Sequence, residues 1–315
     1  MKRLITRGLV AFAALVSGHL LASEPGAHAV TNPVVFLPAS SPYGEARAIR
    51  NIAYVTNAAA RQNFDLYLPL KGDKPFPLVV WIHGGAWMMG IKDWDNIKYF
   101  VRHGYAIASI DYRTTVEAPF PAQIQDCNAA LSFILAHAGA YDLDGSRFMV
   151  GGASAGGHLA LLLGLARQQP GFGAAPRLKP AAILDFFGPT DLTKITDELR
   201  AIHSEKGIKL FQDAGPKLFG VQLALAADLA KIASPLNYID TNSAPVFILQ
   251  GSSDDLVPVS QSRRLHQALD QAGVPNRYLE VPGAGHDGPR FSTPEIELAL
   301  VDFSNGILKQ PAAAR

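Results

Sequence analysis

The stretch Phe148-Met149-Val150-Gly151-Gly152-Ala153-Ser154-Ala155-Gly156-Gly157-His158-Leu159-Ala160 constrains the fold more than any other part of the chain. A short apolar run with the character of a buried strand meets a serine flanked by glycines, and an Ala- and Leu-rich segment of helical character follows at once. A strand that reverses into a helix within a few residues brings backbone segments into close approach and forces an unusual φ/ψ on the corner residue. Side chains at positions 152 and 156 would collide there, which is a physical reason for glycine at both. The corner lifts the Ser154 hydroxyl off the sheet edge and sets it at a helix N-terminus, where developing negative charge is favoured. Ser154 is therefore the candidate nucleophile, and the rest of the chain must supply a base, an acid and an oxyanion site.

The surroundings alternate in character. Asn51–Thr56 and Asn63–Leu68 read as an opening hairpin after an extended, proline-containing lead-in over residues 30–50. Strands are expected at Leu78–Ile82, Tyr105–Ile110, Arg147–Val150, Ala181–Phe187, Val246–Gln250 and Arg277–Val281. Helices are expected at Asp95–His103, Ala122–Ala138, Gln261–Ala272 and Thr293–Leu308, besides the one after Ser154. This pattern predicts an α/β fold with a mostly parallel, doubly wound sheet, helices on both faces, and a ligand site at the carboxyl ends of the strands. Between Leu192 and Ala233 the alternation breaks into helical composition without a strand, which reads as a small helical cap over the site.

At 315 residues, with 48% hydrophobic and 17% charged side chains, the chain can bury a large core. Its formal charge of +1 gives no electrostatic ground for a nucleic-acid or anionic-membrane partner. The lone Cys127 and the absence of H-E-x-x-H or paired C-x-x-C spacings give no ground for a metal, and no cofactor is expected. Lys2, Arg3 and Arg7 precede an apolar run from Leu9 to Leu21, and Ala27-His28-Ala29 has the small-x-small form of a cleavage site. Residues 1–29 therefore read as a secretory signal peptide and residues 30–315 as one domain. An apolar core of about a dozen residues is short of the roughly 20 that span a bilayer, so no membrane anchor is expected after cleavage. The expected location is periplasmic or secreted.

A serine hydroxyl needs a histidine within hydrogen-bond reach, and seven of the nine histidines remain once His19 and His28 leave with the leader. His286 follows the last strand in the irregular loop Pro282-Gly283-Ala284-Gly285-His286-Asp287-Gly288 and is the candidate base. His83 is expected to brace the loop His83-Gly84-Gly85-Ala86-Trp87, whose small residues can turn successive N–H groups toward one point, as an oxyanion hole requires. The loop Gly251–Pro258 offers two carboxylates: Asp254 is the candidate acid, and Asp255 the expected cap of the following turn. Trp87, Met88, Met89, Phe186 and Phe187 are candidates to line an apolar substrate pocket.

Gly152–His158, the His83–Trp87 loop, and Asp111-Tyr112-Arg113 followed by Pro119-Phe120-Pro121-Ala122 and Asp126 together resemble the α/β-hydrolase esterases. The likeness is to the bifunctional feruloyl and acetyl xylan esterase type, related to the hormone-sensitive-lipase branch, and runs from about Asn51 to His286. It implies a serine carboxylesterase working through Ser154, Asp254 and His286, with oxyanion donors at the N–H groups of Gly85, Ala86 and Ala155. The implied partner is a small-molecule or polysaccharide-linked ester. Two positions depart from the pattern: Ala86 stands where relatives often carry glycine, and Gln250 where many carry histidine. Kynurenine-formamidase-like enzymes share the His-Gly-Gly-x-Trp loop, so a formamide or another acyl substrate is the alternative, ahead of a non-catalytic binding protein on the same fold.

Overall fold

The computed structural model describes residues 32, 34–93, 96–221 and 226–309, all within the unit Asn32–Arg315. The expected leader over residues 1–29 lies outside them. The strands are β1 (Val34–Leu37), β2 (Ala46–Ala53), β3 (Asn63–Pro69), β4 (Phe76–Ile82), β5 (Ala106–Ile110), β6 (Leu143–Ala153), β7 (Ile183–Phe186), β8 (Val246–Gly251) and β9 (Asn276–Val281). They form one sheet in the order β1-β2-β3-β5-β4-β6-β7-β8-β9. Pairings from β1 to β5 are antiparallel, and those from β5 through β4 to β9 are parallel.

Residue parity along β4 builds the two layers. Leu78, Val80 and Ile82 pack with α1 (Ala122–Ala136), α2 (Ala155–Leu165) and α6 (Val259–Gln271), whereas Val79 and Trp81 face the 3-10 turn Lys98–His103 and α7 (Pro294–Leu308). A central strand covered on both sides needs apolar residues at both parities, and every β4 residue is buried. Each such large side chain contributes about 1.5–3 kcal/mol relative to exposure. The fold thus rests on its core, and Cys127 is a free, buried thiol within it.

The order β3-β5-β4-β6 reverses the winding at β4. The chain leaving β4 turns to one side of the sheet and the chain leaving β6 to the other, which opens a crevice between their carboxyl-end loops. Ser154 sits there at φ 55°, ψ −121°. A Cβ at position 156 would lie 2.0 Å from the Ile82 carbonyl oxygen, and one at 152 would lie 2.4 Å from the Gly156 carbonyl.

Several boundaries differ from those expected. The lead-in contains the edge strand β1, and the hairpin's first strand starts at Ala46, because backbone pairing with β3 extends well before Asn51. The helix expected at Asp95–His103 is a 3-10 turn over Lys98–His103, ended by Gly104 at φ 83°; Asp95 lies outside the described residues. The 192–233 stretch holds α3 (Ile195–Ala201), α4 (Glu205–Phe219) and α5 (Ala227–Ile232).

Asp185 and His158 are buried titratable groups without a charge partner among the described residues. Gly188 N–H donates to Asp185 Oδ1 at 3.1 Å while Oδ2 meets no partner among the described residues, and burial pushes the carboxyl up to about 8. His158 donates from Nε2 to the Ala233 carbonyl at 2.6 Å and accepts at Nδ1 from Trp87 Nε1–H at 3.2 Å, a neutral tautomer. Burial pushes the imidazole down to about 4.

Gly156→Ala is expected to lower stability by at least about 1–3 kcal/mol through overpacking, read as a drop in urea midpoint. Gly139→Ala, with nothing within 4 Å of the added Cβ, serves as the unchanged control. Linkage gives a second expectation. The Asp185 carboxyl is raised in the fold, so its contribution is present below the unfolded pKa of 3.8 and is lost as pH rises through about 8. His158 is lowered, so its contribution is present above the unfolded 6.5 and is lost as pH falls through about 4. The two slopes oppose each other between about pH 4 and 6.5, and Asp185 acts alone above that. Unfolding curves for Asp185→Asn should therefore lose the wild-type decline between pH 6.5 and 8; an unchanged decline refutes the assignment.

Candidate active site

The three candidate catalytic groups come from the ends of three different strands. Ser154 follows β6, Asp254 lies in the loop after β8, and His286 lies in the loop after β9. His286 Nδ1 lies 2.8 Å from Asp254 Oδ2, and His286 Nε2 lies 2.8 Å from Ser154 Oγ. An ionised carboxylate only accepts, so the proton sits on Nδ1 and leaves the Nε2 lone pair facing the Ser154 hydroxyl. The serine is held from both sides of its peptide: its N–H donates to the Phe186 carbonyl at 2.8 Å, and its carbonyl accepts from His158 N–H at 3.0 Å.

Asp254 is held by more than the histidine. Leu256 N–H and Val257 N–H each donate to Oδ1 at 2.9 Å, and Gln250 Nε2–H donates to Oδ2 at 2.8 Å. Gln250 also donates to the Val257 carbonyl at 3.1 Å and accepts from Ser262 Oγ–H at 2.8 Å, so its buried amide is a filled connector between β8 and α6. The departure at Gln250 thus orients the acid. Asp255 does not cap the turn: Asp254 itself takes the two turn N–H groups, and the exposed Asp255 carboxylate stands 3.5 Å from Lys206 Nζ. Asp287 is exposed and accepts from Gly288 N–H at 2.6 Å.

The loop after β4 is folded tightly. Met88 N–H and Met89 N–H both donate to the Gly85 carbonyl at 3.0 Å, which bends the chain back on itself. Ala86 and Trp87 hold left-handed φ values of 51° and 59°, a strained conformation for residues with a side chain. His83 is fully buried and stacked on Tyr112 with ring centroids 4.5 Å apart. Its Nδ1 faces the Gly84 carbonyl at 2.7 Å and its Nε2 faces Asp111 Oδ1 at 2.9 Å. Ala155 is buried at the first position of α2, where a helical N–H has no partner within the helix.

A cavity of about 570 Å³ opens over Ser154 and His286, with Gly85 and Ala86 in its wall. Met88, Met89, Phe187, Leu210 and Leu256 supply apolar lining, and Asp93, Asn96, Lys98 and Asp287 polar lining. Phe187, at φ 44°, turns its ring to within 4.8 Å of the His286 ring. Two expected pocket residues stand elsewhere. Phe186 is buried edge-on against Trp81 at 5.1 Å, because it is the last β7 residue and points into the layer below. Trp87 is buried against His158 and Phe211 of the cap, at 5.1 and 6.3 Å, where its indole N–H is satisfied. Leu210 on α4 was not separable from its neighbours in the sequence, and the polar lining carries no motif. Among the described residues no group of three or more His, Cys, Asp or Glu side chains is placed to hold a metal ion.

The sequence has curated relatives. It is 31% identical over 218 residues to "Probable carboxylic ester hydrolase LipM" of Mycobacterium tuberculosis (strain ATCC 25618 / H37Rv), covering 67% of this chain and 49% of that protein. It is 28% identical over 252 residues to "Esterase LipC" of the same organism, covering 72% and 58%. The chain thus spans about half the length of the curated relatives it matches. Among solved structures it resembles a "Truncated form of carbohydrate esterase from gut microbiota", with a TM-score of 0.74 and 26% identity over 87% of this chain and 99% of that one. A "Bifunctional GH43-CE" of Bacteroides eggerthii gives the same TM-score at 29% identity, over 83% of this chain and 35% of that one. The mostly parallel sheet, the strand-end loops and these neighbours are those of the α/β-hydrolase fold. The model of the family described as BD-FAE matches residues 64–269, well over half of the sequence, and the chain belongs to that family.

Proposed function

We propose that the protein is an exported serine carboxylesterase acting on esters of hydroxyl-rich alcohols, acylated sugars foremost. The observation that carries this reading is the pair of 2.8 Å contacts joining Ser154, His286 and Asp254, with Ser154 and His286 lining one cavity. Ser154 Oγ attacks the ester carbonyl as His286 Nε2 takes its proton, and Asp254 holds the resulting imidazolium in place. The oxyanion forms against the N–H groups of Gly85, Ala86 and Ala155. Collapse expels the alcohol, which takes the proton from His286, and a water activated by the same imidazole then releases the acid.

The division of the cavity lining between apolar and polar side chains supports the substrate class. Met88, Phe187, Leu210 and Leu256 suit an acyl group, while Asp93, Asn96, Lys98 and Asp287 offer charged and amide groups to alcohol hydroxyls. The resemblance to a protein named as a carbohydrate esterase agrees with this division. The basic and apolar N-terminal stretch supports export to the periplasm or beyond.

A panel of acetyl and butyryl esters, acetylated sugars, feruloyl esters and formamides tests the reading. Ser154→Ala is expected to lower kcat on the preferred ester by at least about 10⁴-fold. Asp254→Asn should lose about 10³–10⁴-fold, with Asp255→Asn within about twofold of wild type, since its side chain only meets Lys206 at the surface. Preference for formamides over every ester overturns the ester assignment, and undiminished turnover by Ser154→Ala overturns the serine mechanism.

A further inference from the structure

The strained loop after β4 must be held in place by something outside itself, since a non-glycine residue at left-handed φ persists only where its surroundings over-determine it. Its start is fixed by His83, whose ring is pinned between Tyr112 and Asp111. Its end, Gly90, is fixed from a different part of the chain. Arg61, in the connection between β2 and β3, donates from Nη2 to the Gly90 carbonyl at 2.6 Å. The same guanidinium donates from Nε to the Tyr112 carbonyl at 3.1 Å, and Nη2 lies 2.7 Å from Asp111 Oδ1. Asp111 also accepts from Tyr112 N–H at 2.9 Å, and Tyr112 O–H donates to the His83 carbonyl at 3.1 Å. Gly90 folds back so closely that a Cβ there would lie 2.2 Å from the Gly84 carbonyl oxygen and 2.3 Å from His83 Nδ1. The two ends of the loop therefore touch, and the guanidinium spans them.

Building on the serine-esterase reading above, we infer that Arg61 is a positioning residue for the oxyanion hole. Nη2 ties the Gly90 carbonyl to Asp111 while Nε, the other prong of the planar fork, holds the Tyr112 carbonyl, and Asp111 ties to His83, so the Gly85 and Ala86 N–H groups between them are aimed as a unit. Arg61 does not line the cavity over Ser154, so its removal takes away no substrate contact. The Asp111 carboxylate is buried, and the guanidinium stands against it beside the His83 ring. An oxyanion hole acts only where charge develops, so loosening it lowers kcat and spares ground-state binding.

The test compares Arg61→Ala and Arg61→Lys with wild type in ester kinetics, binding of an alkylboronic acid as a tetrahedral mimic, and thermal unfolding. Arg61→Ala is expected to lose about ten- to a hundredfold in kcat with KM within about twofold, and boronate affinity should fall in step with kcat. Added methylguanidinium should restore part of the loss, and Arg61→Lys, with charge but no fork, should fall between the two. If Arg61→Ala does not fold, Arg61→Lys carries the same comparison. Wild-type kcat and boronate affinity in a folded variant, or a loss confined to KM, overturns the positioning role alone. A wild-type protein that neither hydrolyses any ester nor reacts at Ser154 with a fluorophosphonate overturns the underlying reading, and this inference with it.

Discussion

The arrangement of the site depends on one steric contact, the approach of the Gly156 backbone to the carbonyl oxygen of Ile82. Strands β4 and β6 pair in register with Ile82 opposite Gly152, so the helix that leaves β6 must pass directly over the last carbonyl of β4. No side chain fits at that crossing, and the sharp turn pushes Ser154 to φ 55°. Such a conformation costs on the order of 1–3 kcal/mol, offset by the buried strand below and the apolar helix beyond. The same crossing brings the loop after β4 beside the serine, which puts hydroxyl and backbone donors on neighbouring strands without any further device.

The acid is stabilised differently. Asp254 gains nothing from strain; it is satisfied by hydrogen bonds, two from turn N–H groups on one oxygen and two from side chains on the other. A carboxylate so furnished has one low-energy orientation, and the histidine inherits it. Gln250 matters here because its amide reaches three partners at once and is buried in a place where an unfilled polar atom would be costly.

The sequence made legible what rests on local chemistry. The glycine-flanked serine, the glycine-rich loop of His286 and the buried run of β4 each announce their geometry through residue types that only a few conformations accept. Asp254 and Asp255 were separable only in part, because they differ in which way they point and no propensity reports that: Asp254 meets His286 and also takes the turn N–H groups expected of Asp255. Trp87 and Phe186 show the same limit: a large aromatic beside a loop fits either a cavity wall or a core, and only the cap over Trp87 and the layer under Phe186 decide. Arg61 was out of reach because its partners, Gly90, Asp111 and Tyr112, are distant in sequence and meet only through the strand order.

The helical stretch after β7 is fastened to the chemistry at both ends. Ser204 Oγ–H donates to the Asp255 carbonyl at 2.5 Å, and the Ala233 carbonyl accepts from His158 Nε2–H. Between these ties, α4 presents buried Gly207, Phe211 and Leu218 to the body of the fold and Leu210 to the cavity. One helix thus carries core packing and cavity lining at adjacent positions. Leu210 meets the cavity, while its immediate neighbour Phe211 packs edge-on against Trp87 of the loop after β4. A change of side-chain size at position 210 therefore reshapes the cavity at little structural expense, whereas one at position 211 disturbs the packing over Trp87.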